Sequence, residues 1–320
     1  MKCSTIKRSL IASCLAALAA GLLAPSAGLA QEAASDIDAE QRAHAGRALG
    51  YRQLERASLE TVTTPERLLR VAQGGYAPTE IWRALEHGEK VECLNCIPAV
   101  SKLIFDDEAK TREISAWWLR RRIFGVFGPG EVYSRIVATV SDPTQPEKRR
   151  AYAADALGEF LTSAGTAPVA QAAVADPSPL VRRSAVRALM RLNSVGPGAE
   201  LARALSDTDE QVRLAALHAS TRVNAFRDVD QVAARLDDSS AAVRTRALDA
   251  LGSLRAGDAV VAIIAKLSPQ SEPDATVRAA AAAALGEIGD PAARDSVRAA
   301  ASGDPDHFVR DAASIALLRL

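Results

Sequence analysis

The sequence predicts an all-α fold with no β-sheet: a right-handed α-solenoid of stacked antiparallel helix pairs. Three observations carry this expectation. An acid followed six places on by an arginine recurs as Asp106–Arg112, Asp176–Arg182, Asp207–Arg213, Asp238–Arg244, Glu272–Arg278 and Asp304–Arg310, while Arg150 holds the arginine place with Thr144 where the acid would stand. Successive arginines are separated by 38, 32, 31, 31, 34 and 32 residues. A period in the thirties marks units that bury their apolar faces only by stacking on one another. Within each unit apolar residues recur at helical spacing, and no run alternates as a half-buried strand does.

Residues 1–30 stand apart. Lys2, Lys7 and Arg8 precede an almost wholly apolar run, Ser9 to Ala24, and Gly28-Leu29-Ala30 offers a small-residue cleavage site before Gln31. That order predicts a secretory signal peptide and an exported, periplasmic mature chain of residues 31–320. A leader left uncleaved as an anchor stays open, on a run shorter than the roughly 20 apolar residues of a spanning helix. So does a lipoprotein, because Ile11-Ala12-Ser13-Cys14 resembles a lipobox. The full sequence carries 39 basic and 39 acidic side chains; without Lys2, Lys7 and Arg8 the net charge is −3. No strong basic field remains, so nucleic acid is not an expected partner. No second apolar run is long enough to cross a bilayer.

Residues 31–96 do not follow the repeat and are expected to form an N-terminal helical cap, since a solenoid needs end elements with a polar outer face. The stretch from Asp36 to Leu59 is polar and helix-prone. Thr64-Pro65-Glu66 is cap chemistry for a helix through Val71 that Gly74-Gly75 ends, and a short helix from Thr79 to His87 stops at Gly88. Residues 97–320 hold about six repeats, the last one partial. In 176–205, Asp176-Pro177-Ser178-Pro179 opens a helix carrying Val181, Ala185, Ala188, Leu189 and Leu192 at helical spacing. Gly196-Pro197-Gly198 breaks it, and Leu201, Ala204 and Leu205 begin the second helix. Units 207–236, 238–267 and 272–301 repeat the pattern, and 304–320 keeps only its first helix. Alanines let paired helices approach, and Val, Leu and Ile fill the seams.

The phrases VRRSAVRALMRL (181–192), VRLAALHASTRV (212–223), VRTRALDALGSL (243–254), VRAAAAAALGEI (277–288) and VRDAASIALLRL (309–320) resemble HEAT repeats, particularly the short variety of phycobilisome-lyase-like proteins. The resemblance covers about two thirds of the mature chain. It implies that Asp106, Arg112, Arg150, Asp176, Arg182, Asp207, Arg213, Asp238, Arg244, Glu272, Arg278, Asp304 and Arg310 form a structural ladder of turn and inter-repeat contacts. HEAT hydroxylases use repeated His-Glu dipeptides, and none occurs here.

Two places carry candidate chemistry. The first is Cys93-Leu94-Asn95-Cys96. An oxidising compartment and an even count favour a structural disulfide between Cys93 and Cys96. A redox-active dithiol is open, without the βαβ context such motifs have. A metal site is open with His87 as third ligand, where structural zinc takes four. Covalent haem would need His directly after the second Cys, and Ile97 stands there. The second place is aromatic-rich: nine of thirteen aromatic residues lie between Tyr76 and Tyr152. Trp117 and Trp118 point about 100° apart on one helix. Trp118 aligns with the inward Ala188 and Ala250, which leaves Trp117, with Arg120, Arg121, Phe124, Phe127 and Tyr133, as the candidate protein-binding surface; a loop folding back over Trp117 is the alternative. The triple Arg120-Arg121-Arg122 also reads as a solvated or carbonyl-capping helix end. His44, His87, His218 and His307 are scattered singly, and His218 reads as an ordinary helix residue.

No catalytic constellation and no cofactor motif emerge. The expectation is an exported, non-enzymatic scaffold or adaptor that binds another protein of the periplasm or envelope. The alternative is a periplasmic redox or metal-handling accessory built on Cys93 and Cys96.

Overall fold

The computed structural model describes residues 64–125, 128–193, 198–224 and 226–320. The expected leader, the stretch 36–59 and the break at Gly196-Pro197 lie outside the described residues. In chain order the helices are α1 (Pro65–Ala72), α2 (Pro78–His87), α3 (Ile97–Leu103), α4 (Ala109–Arg120), α5 (Glu131–Ser141), α6 (Glu147–Phe160), α7 (Thr166–Ala175) and α8 (Pro179–Leu192). They continue with α9 (Gly198–Ala204), α10 (Glu210–Ser220), α11 (Val229–Ala233), α12 (Ala241–Ser253), α13 (Val260–Ala265), α14 (Ala275–Ile288), α15 (Arg294–Gly303) and α16 (His307–Leu317).

The helices form two layers. The first helix of each unit packs on the first helix of the next, in the order α2, α4, α6, α8, α10, α12, α14, α16. The intervening helices form the second layer. This is the expected α-solenoid. Extended pairing among the described residues is confined to a two-residue hairpin, Phe124 opposite Pro129 and Gly125 opposite Gly128. It sits where Gly128-Pro129-Gly130 interrupts helix, so it adds no sheet layer. Residues Thr63–Leu320 form one compact unit, and α2 stacks on α4 as the later first helices stack on one another. The stack therefore reaches back to Pro78, past the start expected at 97. The repeat phrase did not show it because no acid stands six places before an arginine within residues 64–96.

Five of these helix starts carry a side-chain cap that the sequence supplies. Thr64 Oγ1 accepts the Arg67 N–H ahead of Pro65, Asp209 accepts Val212 N, Ser240 accepts Val243 N, and Asp274 and Asp306 cap α14 and α16. Such caps satisfy N–H groups that have no partner within the helix.

The core is a thin, continuous seam. Ala185, Ala188, Ala216, Ala219, Ala247, Ala281 and Ala313 are fully buried, interleaved with Val181, Leu189, Val212, Val243, Leu251, Val277 and Leu285. The helices approach so closely that a Cβ on Gly158 would lie 2.8 Å from the Ala188 Cα, and one on Gly286 would lie 2.8 Å from the Ala316 Cα. Glycine at those two places is a packing requirement.

Candidate protein-docking face

The ladder joins neighbouring units. In unit after unit the arginine's Nη1 donates to two backbone carbonyls at its own turn: Arg182 to Asp176 and Pro177, Arg244 to Asp238 and Ser239, Arg278 to Glu272 and Pro273. Its other edge reaches the carboxylate of the next unit. The rungs are Arg150–Asp176, Arg182–Asp207, Arg213–Asp238, Arg244–Glu272 and Arg278–Asp304, each at 2.7–2.8 Å. Each carboxylate also accepts the N–H two residues on, as Asp304 does from Asp306 at 2.8 Å. One acid thus fixes a turn and ties two repeats. Arg112 meets no acid in the following unit; it donates to the Asp106 and Asp107 carbonyls and stacks over Tyr152, 3.8 Å from the ring centroid. At Asp304 the Arg278 hydrogen bonds hold the carboxyl below the usual carboxylate range.

The aromatic stretch is largely interior. Trp118 is 1% exposed and its Nε1–H donates to the Gly88 carbonyl at 3.1 Å. Arg122 lies over the Trp118 ring and donates to the Trp118, Gly88, Glu89 and Val91 carbonyls. It is the carbonyl cap that the triple arginine allowed. Arg121 pairs with Glu89 at 2.6 Å. Tyr133, expected on a binding surface, is buried: it packs beside Phe160 with ring centroids 5.8 Å apart, and burial pushes its phenol up to about 12. The reason is that Tyr133 begins α5 facing Gly165 and Leu157, its hydroxyl 2.7 Å from where a Cβ on Gly165 would stand. Trp117 is half-buried against the core, Arg120 is half-exposed, and Phe127 and the Phe124 side chain lie outside the described residues.

Cys93 and Cys96 are joined as a disulfide across the 3₁₀ turn Leu94–Cys96 between α2 and α3. Both are buried, and the Cys96 sulfur lies 3.5 Å from the Pro65 carbonyl oxygen. The turn packs against α1. His87 is exposed, and among the described residues no three His, Cys, Asp or Glu side chains gather to hold a metal ion.

What remains is a second set of charges on the first-helix face. Counted from the ladder arginine, the place five residues on holds Trp117, Asp155, Arg187, His218, Asp249 and Ala283 in successive units, and the place nine on holds Arg121, Glu159, Arg191, Arg222, Ser253 and Glu287. Comparing repeats column by column would have found them; the acid–arginine phrase draws attention elsewhere. Arg187 pairs with Asp155 at 3.1 Å and Arg191 with Glu159 at 2.7 Å, both across units and partly exposed. Burial raises the Glu159 carboxyl's pKa, a shift that Arg191 opposes. Two grooves adjoin along this face. One, of about 250 Å³, is lined by Arg112, Glu113, Tyr152, Asp155, Glu159 and Arg191. The other, of about 460 Å³, is lined by Arg183, Gln211, Leu214, His218 and Arg246, with Arg187 shared between the two.

Stacked helix pairs tied by a buried ladder, with a variable face along one layer, define a helical-repeat solenoid. The chain belongs to the HEAT-repeat family: the family model for HEAT repeats matches residues 136–221 and 229–318, more than half of the chain. No curated protein matches it in sequence. Among solved structures it is similar to YibA of Escherichia coli, at 18% identity and a TM-score of 0.54 over 84% of this chain and 100% of that one. It is also similar to Kap95p, from a study of RanGDP binding, at 13% identity and a TM-score of 0.56 over 92% of this chain and 44% of that one. Kap121p bound to Pho4p matches at 14% identity and a TM-score of 0.50 over 81% of this chain and 34% of that one. These likenesses show the fold. No described helix is long and apolar enough to cross a membrane.

Proposed function

We propose that the chain is a non-enzymatic scaffold that binds another protein along the first-helix face, from Glu113 and Trp117 on α4 to Arg246 on α12. One observation carries the reading. The charges divide into a buried ladder that joins repeats and a second, exposed set that lines two adjoining grooves and differs from unit to unit. Structure needs the first set to be uniform; recognition needs the second to vary. Two neighbours of the same fold, Kap95p and Kap121p, are described by their structures as binding RanGDP and Pho4p.

The same reading has the chain exported, with its leader cleaved before Gln31 and its partner in the periplasm or envelope. The leader pattern of residues 1–30 and a disulfide at Cys93–Cys96 support that location. The buried sulfurs give a redox or metal-handling role no support, because thiol exchange needs an accessible sulfur.

The test is site-specific photo-cross-linking in the native host. A photoreactive residue at Arg191 in the groove is expected to capture one defined partner. The same residue at Val261, 80% exposed on the second-helix layer, is expected not to. Equal capture from both sites, or none from either, refutes the scaffold reading. Intact-mass analysis of the exported protein, beginning at Gln31, checks the location.

A further inference from the structure

The groove around Arg183 has a composition that names the chemistry of its occupant. Arg183 and Arg187 on α8 and Arg246 on α12 line it, and no Asp or Glu does. Two of these arginines are partly compensated from its edges: Arg187 by Asp155 at 3.1 Å, and Arg246 by Asp249 at 3.7 Å with both side chains well exposed. Arg183 is different. Its Nε is shut from solvent with no hydrogen-bond partner, and no ion pair forms to it among the described residues. Arg183 itself lines the groove half-buried, and its uncompensated charge is what an incoming carboxylate would meet with charge-assisted hydrogen bonds from the guanidinium edge that faces the groove.

His218 reports the same field. Its Nε2 accepts the Arg222 Nε–H at 2.8 Å, so the ring is neutral with its proton on Nδ1. Burial first, then Arg246 and Arg222, lower its pKa below the ordinary 6.5. The apolar part of the lining is Met190, Leu214 and Ala215, partly buried against the core. Inorganic anions would leave that apolar floor uncovered, and a chain without a strong basic field is a poor nucleic-acid binder.

We infer that this groove is a subsite for an acidic segment of a partner protein, seating a Glu or Asp carboxylate on Arg183, between Arg187 and Arg246, and a neighbouring aliphatic side chain on Leu214 and Met190. The inference rests on the scaffold reading and adds the partner's chemistry to it.

The experiment uses residues 31–320 and fluorescence anisotropy with a labelled peptide alternating Glu and Leu, its Gln-for-Glu counterpart, and a single-stranded oligonucleotide of equal length. The acidic peptide is expected to bind at least about tenfold more tightly than the Gln peptide. R183Q and, independently, R246Q are each expected to weaken it about five- to tenfold with helicity unchanged, whereas R298Q on α15 leaves it unaltered. The subsite is overturned if the Gln peptide or the oligonucleotide binds as well, if R183Q and R246Q change nothing, or if the groove proves to mediate self-association that R183Q abolishes. Such a failure is separable from failure of the scaffold reading: cross-linking from Arg191 would still capture its partner in the first case and not in the second.

Discussion

Asp304→Ala removes the acid from the most deeply buried rung. The Arg278 side chain there is 4% exposed and the Asp304 side chain 1%. Three contacts disappear: Arg278 Nε at 2.8 Å, Arg278 Nη2 at 3.0 Å and the Asp306 N–H at 2.8 Å. Arg278 keeps its two carbonyls at Glu272 and Pro273, so it stays pinned in place with a charged edge facing no acceptor. Breaking a buried pair this way costs about 3–5 kcal/mol. Replacing both partners by apolar residues, Arg278→Met with Asp304→Leu, is expected to recover most of that, because no uncompensated charge is left. The exposed pair Arg298–Asp295 is the control, since many such pairs contribute nothing measurable. Because repeats contact only their neighbours, the damage should concentrate in α16. Urea unfolding followed by circular dichroism gives the energy, and hydrogen exchange across 304–320 gives its location. The reasoning fails if Asp304→Ala costs no more than Asp295→Ala, or if the double variant is as unstable as the single one.

Gly286→Val should cost about 1–3 kcal/mol by overpacking against Ala316, measured by the same unfolding, while Gly303→Val, with nothing within 4 Å, should not. Arg122→Ala should loosen the junction between α2 and α4, since four carbonyls each lose the guanidinium donor and Trp118 loses its cover; a red shift and quenching of tryptophan fluorescence would report it, and an unchanged spectrum would contradict it. Acid should weaken the ladder. Arg278 lowers the Asp304 pKa from the ordinary 3.8, so the rung's contribution is complete above that value and lost as pH falls below it. The Arg278→Met, Asp304→Leu variant should therefore retain helicity to a lower pH at its C-terminal end, and identical acid titrations would argue against the assignment. Reduction of Cys93–Cys96 should leave the helices of residues 97–320 intact, read by circular dichroism, because the bridge spans one turn beside α1.

How far the sequence reaches can be judged at particular residues. The acid–arginine phrase marks the turns at Asp176, Asp207, Asp238, Glu272 and Asp304 because one chemistry, a carboxylate that caps a turn and receives the preceding arginine, recurs at one place in those units. It is silent over α2 and α3, where no acid stands six places before an arginine, and it is broken at Thr144, in the unit where Arg112 meets no carboxylate. Trp118 was legible as interior by its column, and Trp117 as less buried. Tyr133 was not, since nothing local says that α5 turns it toward Gly165 and Leu157. Asp155, Glu159, Arg183 and Arg187 were also missed, because which charges stay on a face depends on which neighbours already neutralise them.

The sequence by itself determined the helices, their period and their stacking, since helix periodicity and turn chemistry are local and a repeated unit has one way to bury its apolar face. Only the tertiary structure decided which charge meets which. A ladder arginine bonds its own turn through backbone and its neighbour's through carboxylate, and Arg183 is left with a shielded N–H and no acid. Those outcomes depend on distances between side chains some thirty residues apart, and on the water that packing removes from between them.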